Sequence, residues 1–283
     1  MSGSRTYQKF WLPVFLLAIF ILLQSTCRAE PARPYLTFGF LPVVSSERLI
    51  RRFSPLAEYL SQELGIEVRM ETAPDFSSFV HRTHNEKRYD ILFTAPHLFF
   101  LAQRDAGYTP VVRVNRPGMS AVIVVPKDSD ITTLKDLKGR KLAISDPLAL
   151  ATVLARVELS ELDILPENDL TLISTPSHDA SLLSSLRGSS DASVVMLPVY
   201  RRSKADVVSQ MRVIATTQSV PHIPISTASW VDKKLFLSIK QVFLNMQNTE
   251  TGRNLLKHLN WPGFIKVDAD EYKNLEWIVK EIY

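Results

Sequence analysis

From Tyr35 onward, short apolar runs alternate with segments whose apolar residues recur every three or four positions. Residues 36–41 predict a strand, and the spacing of Phe53, Leu56 and Leu60 predicts a helix that begins at Ser54-Pro55 and ends at Gly65. The same strand-then-helix pattern recurs over residues 66–80, where Asp75 is the expected helix cap, and over 89–106. This part of the chain is therefore predicted to consist of βα units.

A second series of βα units follows residue 136. Strands are predicted at residues 141–145, 170–174 and 192–196, with one helix opened by Pro147 and another capped by Asp179. Between the two series, residues 111–114 and 121–125 predict two strands with no helix between them. The proline-spaced stretch at 216–224 leads the chain back. The tracts near residues 121–125 and 216–224 are therefore the expected crossings between the lobes and the expected hinges.

Two series of βα units predict an α/β protein of two lobes, each a mostly parallel sheet flanked by helices and joined by two hinge strands. The length of the chain, 283 residues, is also consistent with two lobes, because a single hydrophobic core stops growing at roughly 250–300 residues. We predict that lobe 1 comprises residues 30–123 and 218–283, and that lobe 2 comprises residues 124–217.

Residues 1–29 have the pattern of an export signal. Arg5 and Lys9 precede an apolar run at residues 11–23, which is short for a membrane-spanning helix, and cleavage is expected after Ala29. A retained anchor and lipidation at Cys27 are the alternatives. The predicted location is the periplasm.

Removing this segment changes the charge. Residues 1–29 carry three basic residues and no acid, so the net charge falls from +4 to +1. The remainder has no basic stripe with interleaved aromatics, which argues against nucleic-acid binding. It also has no cysteine, which excludes disulfides and thiolate chemistry from the exported part.

The loops after the predicted strands hold the candidate binding residues, because ligands of open α/β sheets lie at the carboxyl ends of the strands. Thr94 supplies a hydroxyl there, Pro96 suits a first helical position, and His97 falls in the first turn. Exposed N–H groups at such helix starts favour an anion. The alternative is that Thr94 and Pro96 only cap the helix.

Ser177, His178 and Asp179 contain the residue types of a hydrolytic triad, but triad partners come from separate segments and the chain has no Gly-x-Ser-x-Gly elbow. We expect His178 to face an anion while Asp179 caps the next helix, and we predict no catalytic residue.

His81 and His84 lie three residues apart without a convincing carboxylate partner, so no metal site is predicted. Walker and dinucleotide glycine patterns do not occur in the sequence, and no cofactor is expected.

Several segments, taken in order, resemble one family. They are Gly39-Phe40-Leu41-Pro42, residues 53–60, Ala73-Pro74-Asp75-Phe76, residues 134–143, Ser145-Asp146-Pro147 and Ser177-His178-Asp179-Ala180. This order resembles the phosphate, phosphite and phosphonate-binding proteins of ABC importers. The resemblance implies a periplasmic-binding-protein fold that closes over a small oxyanion and delivers it to a membrane permease. A monomer without enzymatic activity is expected.

The resemblance also implies positions for the ligand contacts. Phe76 and Thr94 fall where relatives often have tyrosine, and His178 matches directly. Relatives usually carry a Ser/Thr-rich turn after Asp146-Pro147, whereas this chain has an apolar stretch ending at Thr152, which predicts weaker phosphonate binding. The predicted ligand-binding residues are Phe76, Thr94, Ala95, His97, Leu148, Ala149, Leu150, Thr152, His178 and Asp179. The alternative function is a sensor of the same fold that signals through a membrane partner without transport.

Overall fold

The structure is a computed structural model that describes residues 34–280 and residue 282. The predicted export signal, including Cys27, lies outside the described residues. No helix in the described part of the chain is both long enough and apolar enough to cross a membrane.

Eleven strands lie in the described residues and form two sheets. They are β1 (Tyr35–Phe40), β2 (Glu67–Glu71), β3 (Ile91–Phe93), β4 (Thr109–Val114), β5 (Ala121–Pro126), β6 (Lys141–Ile144), β7 (Thr171–Ser174), β8 (Ala192–Met196), β9 (Met211–Thr216), β10 (Pro224–Thr227) and β11 (Phe264–Lys266). Lobe 1 carries a six-stranded sheet of order β11-β4-β10-β3-β1-β2. Lobe 2 carries a five-stranded sheet of order β7-β6-β8-β5-β9.

The α/β two-lobed fold class is confirmed, with sheets that are mixed. β1 is parallel to β2 and β3, and β6 is parallel to β7 and β8. β10 is antiparallel to β3 and β4, and β5 is antiparallel to β8 and β9. Parallel neighbours need a crossover, usually a helix. β5 and β10 each enter their sheet directly from the other lobe, without a crossover helix, and each is antiparallel to its neighbours.

The helices cover both faces of the sheets. They are α1 (Ser46–Leu64), α2 (Phe76–His84), α3 (Pro96–Ala106), α4 (Leu150–Ser160), α5 (Pro166–Asp169), α6 (His178–Leu186), α7 (Leu197–Arg202), α8 (Ala205–Val208), α9 (Lys233–Asn245), α10 (Glu250–Leu259) and α11 (Glu276–Val279). Short 3₁₀ helices occupy Leu134–Leu137, Met246–Asn248 and Ala269–Tyr272.

Three predicted helix starts are wrong. α1 begins at Ser46 and contains Pro55, because the apolar period continues upstream through Leu49, which is buried. α4 begins at Leu150 instead of Pro147. α6 is capped by Ser177, whose hydroxyl accepts the Ala180 N–H at 3.2 Å, so Asp179 is not the cap.

Two antiparallel segments connect the lobes. Met119 and Val220 form a bridge in which each N–H donates to the other's carbonyl, at 2.7 and 2.9 Å. Beside it, the Thr217 hydroxyl accepts the Ala121 N–H at 3.0 Å. The predicted boundary between residues 123 and 124 falls inside β5, which begins at Ala121.

The C-terminal part of the chain adds a third contact between the lobes. α11 packs against α3 of lobe 1 and against α4 of lobe 2. Tyr272 is fully buried, packs edge-on against Phe99, and donates its hydroxyl to the His222 carbonyl in the second crossing. Residues of both lobes therefore share one apolar cluster with this segment.

Candidate functional site

Among the helices that follow strand ends, α2 and α6 have side-chain caps, whereas α3 and α4 do not. α2 is capped by Asp75, which accepts the Ser78 N–H at 2.7 Å, and α6 by Ser177. The N-caps of α3 and α4 are Ala95 and Ala149, which have no side-chain oxygen. Their first-turn N–H groups therefore remain available, and the helix dipole makes each start attractive to an anion.

Buried hydroxyls stand at both uncapped starts. Thr94 follows β3, is 2% exposed, and its Oγ1 has no hydrogen-bond partner within the described residues. Thr152, in the first turn of α4, is also 2% exposed, and its Oγ1 is likewise unpartnered. Leaving a buried hydroxyl unsatisfied costs about 1–3 kcal/mol, so the two groups are suited to a polar ligand.

His97 links the start of α3 to the loop that precedes α4. Its ring is fully buried in the first turn of α3, and Nε2 lies 2.9 Å from the Leu148 carbonyl of lobe 2. Since a carbonyl only accepts, Nε2 carries the proton, and Nδ1 has no partner in the described part of the chain. Thr94, Ala95 and His97 therefore lie next to the loop that leads into α4.

The loop of lobe 2 is organised by Asp146. Its Oδ1 accepts the Leu148 N–H at 2.8 Å, and its carbonyl accepts the Ala149 N–H at 3.0 Å. This turn, rather than Pro147, sets the start of α4. Asp146 is not among the predicted ligand-binding residues, although an Asp-Pro pair is a common turn signal.

The other predicted ligand residues differ in their exposure. Phe76, the first residue of α2, and Leu150 belong to the apolar cluster shared by the lobes. His178 is the first residue of α6 and is half-buried, with its Nδ1 buried and unpartnered among described residues. Asp179 is exposed, so it is less suited to contact a buried ligand.

The site has no positively charged histidine at neutral pH. Burial lowers the pKa of His97 to about 4, against the opposing effect of the Leu148 carbonyl. Burial also lowers the pKa of His178 to about 4, although Asp179 acts in the other direction. Burial raises the pKa of Asp146, an effect opposed by the Leu148 N–H and reinforced by Asp75. Helix N–H groups and neutral donors must therefore provide the attraction for an anion.

No group of three or more His, Cys, Asp or Glu residues is arranged to hold a metal ion within the residues that the structure covers. The site consists of backbone N–H groups, hydroxyls and imidazoles surrounded by apolar side chains. These groups can bind and orient a small polar solute.

Comparison with known proteins agrees with this arrangement. The pattern of the family described as "ABC transporter, phosphonate, periplasmic substrate-binding protein" matches residues 38–272. The chain is 22% identical over 254 residues to the Phosphonates-binding periplasmic protein of Escherichia coli strain K12, covering 86% of this chain and 75% of that protein.

Two solved structures share the fold. PhnD1 of Prochlorococcus marinus, in complex with methylphosphonate, has a TM-score of 0.77 and 18% identity, covering 88% of this chain and 98% of that one. A binding-protein component of an ABC phosphonate transporter from Pseudomonas aeruginosa has a TM-score of 0.73 and 19% identity, covering 84% and 83%. The chain belongs to the family of periplasmic substrate-binding proteins of phosphonate ABC transporters.

Proposed function

We propose that the protein binds a small phosphonate-type oxyanion between its lobes and presents it to the membrane permease of an ABC importer. The observation that carries the proposal is the pair of buried, unpartnered hydroxyls of Thr94 and Thr152, one on each lobe, at the uncapped starts of α3 and α4. An oxyanion accepts hydrogen bonds from such hydroxyls and from the adjacent N–H groups.

Binding from both lobes favours the closed arrangement. A ligand that contacts both lobes binds the closed state more tightly than the open state. This difference in affinity stabilises the closed state. The two crossings are the hinges about which lobe 1, residues 30–123 and 218–283, moves relative to lobe 2, residues 124–217. His97 supports closure because its ring reaches the Leu148 carbonyl of the other lobe.

The lining favours an oxyanion with an apolar substituent. Phe76, Ala149 and Leu150 are all at most 9% exposed and present no hydroxyl. His97, Leu148 and His178 complete the proposed ligand-binding set with Ala95, and Asp179 lies at its solvent edge.

The other parts of the proposal are supported by the sequence pattern of the N-terminus and by the matched family. Residues 1–29 direct export to the periplasm, with cleavage after Ala29, and the protein acts as a monomer that delivers its ligand without transforming it. Transport is favoured over a purely sensory role because the matched family consists of ABC transporter components.

The test is the substitution Thr94→Val, with Thr83→Val as a matched control. Thr83 is also 2% exposed, but its hydroxyl donates to the Phe79 carbonyl of its own helix at 2.8 Å. Isothermal titration with methylphosphonate is expected to show a loss of about 10- to 100-fold for Thr94→Val, since a hydrogen bond to a charged group contributes about 1.5–3 kcal/mol. Thr83→Val should bind as the wild type does.

A wild-type protein that binds none of phosphate, phosphite or the alkylphosphonates would overturn the proposal. So would equal affinities of the two threonine variants, because the binding site would then lie elsewhere.

A further inference from the structure

Three arginines come from separate segments that follow the strands β1, β4 and β8. Arg52 is in the second turn of α1, Arg116 lies in the first crossing just after β4, and Arg202 ends α7 of lobe 2. We call Arg52, Arg116 and Arg202 the arginine cluster. Arg52 and Arg202 are exposed and Arg116 is half-buried, so all three are accessible to a solute.

Two members are anchored side by side. Arg52 Nη2 donates to the Leu259 carbonyl at 3.2 Å, and Arg116 Nη2 donates to the carbonyl of the next residue, Asn260. These carbonyls end α10, where the helix dipole is negative. The end of α10 therefore holds two guanidinium groups close together, with other N–H groups left for a ligand.

Lobe 2 contributes the third arginine. The Leu197 N–H, at the start of α7, donates to the Ser120 carbonyl at 2.9 Å, and Ser120 lies four residues after Arg116 in the same crossing. The start of the helix that carries Arg202 is thus hydrogen-bonded to the crossing that carries Arg116. Partial burial, and then the charges of Arg202 and Arg116, lower the pKa of Arg52.

Two neighbouring arginines are paired with carboxylates, whereas the cluster is not. Arg51 pairs with Glu47, and Arg113 pairs with Glu271 at 2.7 Å. No member of the cluster forms an ion pair within the described residues, and Arg202 forms no hydrogen bond there either. Three like charges from two lobes therefore oppose close approach unless an anion lies among them.

We propose that the arginine cluster is a second anion site, which binds a phosphate-type oxyanion across the mouth of the cleft and thereby favours closure. Guanidinium groups match such oxyanions because their N–H groups donate in pairs. The inference rests on the proposed function only for the closing motion, since the cluster shares no residue with the Thr94 and Thr152 site. The anion is either a second acidic group of the transported ligand or a separate ion.

The test is isothermal titration of the full-chain protein with pyrophosphate. Arg202→Gln should lower its affinity at least 10-fold, whereas Arg201→Gln, on the same helix, should change it less than 2-fold. Thr94→Val should weaken methylphosphonate binding about 10- to 100-fold and keep pyrophosphate binding, so this proposal and the proposed function fail separately.

A second titration identifies the source of the anion. Competition between methylphosphonate and pyrophosphate indicates one extended ligand, and simultaneous binding indicates a separate ion. The inference is overturned if pyrophosphate does not bind, if Arg202→Gln binds it like the wild type, or if Thr94→Val abolishes its binding. Equal thermal midpoints of Arg201→Gln and Arg202→Gln would show that both variants are folded.

Discussion

The residues that define the site are polar groups kept neutral by burial. Thr94 and Thr152 have hydroxyls without partners in the described chain, and His97 donates one hydrogen bond while its second nitrogen remains available. In a buried environment, neutral donors attract an anion without the large cost of burying a charge. The same burial makes folding sensitive to acid, because an imidazole that is neutral in the native state becomes protonated when it unfolds.

His97→Gln tests this acid sensitivity. The folded pKa of His97 is about 4, below the usual 6.5, so the unfolded state binds more protons between these values and stability falls as the pH drops through this window. At pH 5, the loss in the free energy of unfolding that is due to His97 is about 2 kcal/mol. Between pH 7.5 and pH 5, the free energy of unfolding of His97→Gln should therefore fall by about 2 kcal/mol less than that of the wild type, as measured by urea unfolding. His258→Gln, at an exposed position, should retain the wild-type loss, and equal losses in all three proteins would contradict the assignment.

At the scale of elements, we propose that the starts of α3 and α4 determine the strength of binding. Both helices have alanine at the N-cap and no side-chain cap for their first-turn N–H groups. A serine at such a position adds a hydroxyl that can donate to an oxyanion, and serine is also favoured at N-caps. We therefore propose that the hydroxyl-poor loop before α4 is the element that limits affinity for phosphonates.

Ala149→Ser should raise the affinity for methylphosphonate about 10-fold, as expected for one added charge-assisted hydrogen bond. Ala149 is 5% exposed, and serine adds a single atom. Isothermal titration provides the measurement, with Ala155→Ser, which lies later in α4, as the control. Nanomolar binding by the wild type, or no gain in the variant, would show that the loop does not limit affinity.

At the scale of the whole molecule, we propose that the crossings set how the lobes move. The two crossings lie close together at Gly118, where an added Cβ would lie 2.3 Å from Ser219 Oγ and 2.6 Å from the Val220 carbonyl oxygen. Backbone cannot move aside as a flexible side chain can. Glycine at 118 therefore allows the Met119–Val220 bridge to form.

Gly118→Ala should force the crossings apart and lower the stability by about 1–3 kcal/mol, a few degrees in the unfolding midpoint. Hydrogen exchange of the Met119 and Val220 amides should accelerate. The double variant Gly118→Ala/Ser219→Ala should remain destabilised, because the contact with the Val220 carbonyl persists. Wild-type stability and exchange in the single variant would contradict this account of the hinge.

The order of strands and helices was predictable because it depends on local periodicity. The predicted strand at 192–196 coincides with β8, and the predicted strand at 170–174 begins one residue before β7. Element starts were harder to predict, since Pro55 indicates a helix start locally, whereas burial of Leu49 extends α1 upstream. The candidate residues at the ends of β3 and β6 could be named because parallel strands place such loops at one edge.

Taken alone, the sequence determined the α/β class, the two lobes, the family and the loops that hold the candidate ligand residues, because these depend on short-range patterns. The tertiary structure decided the contact of His97 with Leu148, the bridge between Met119 and Val220 and the arginine cluster. The paired residues lie about 50 to 200 positions apart along the chain. Such pairings leave no periodic signal, since they join distant segments that meet only in the folded chain.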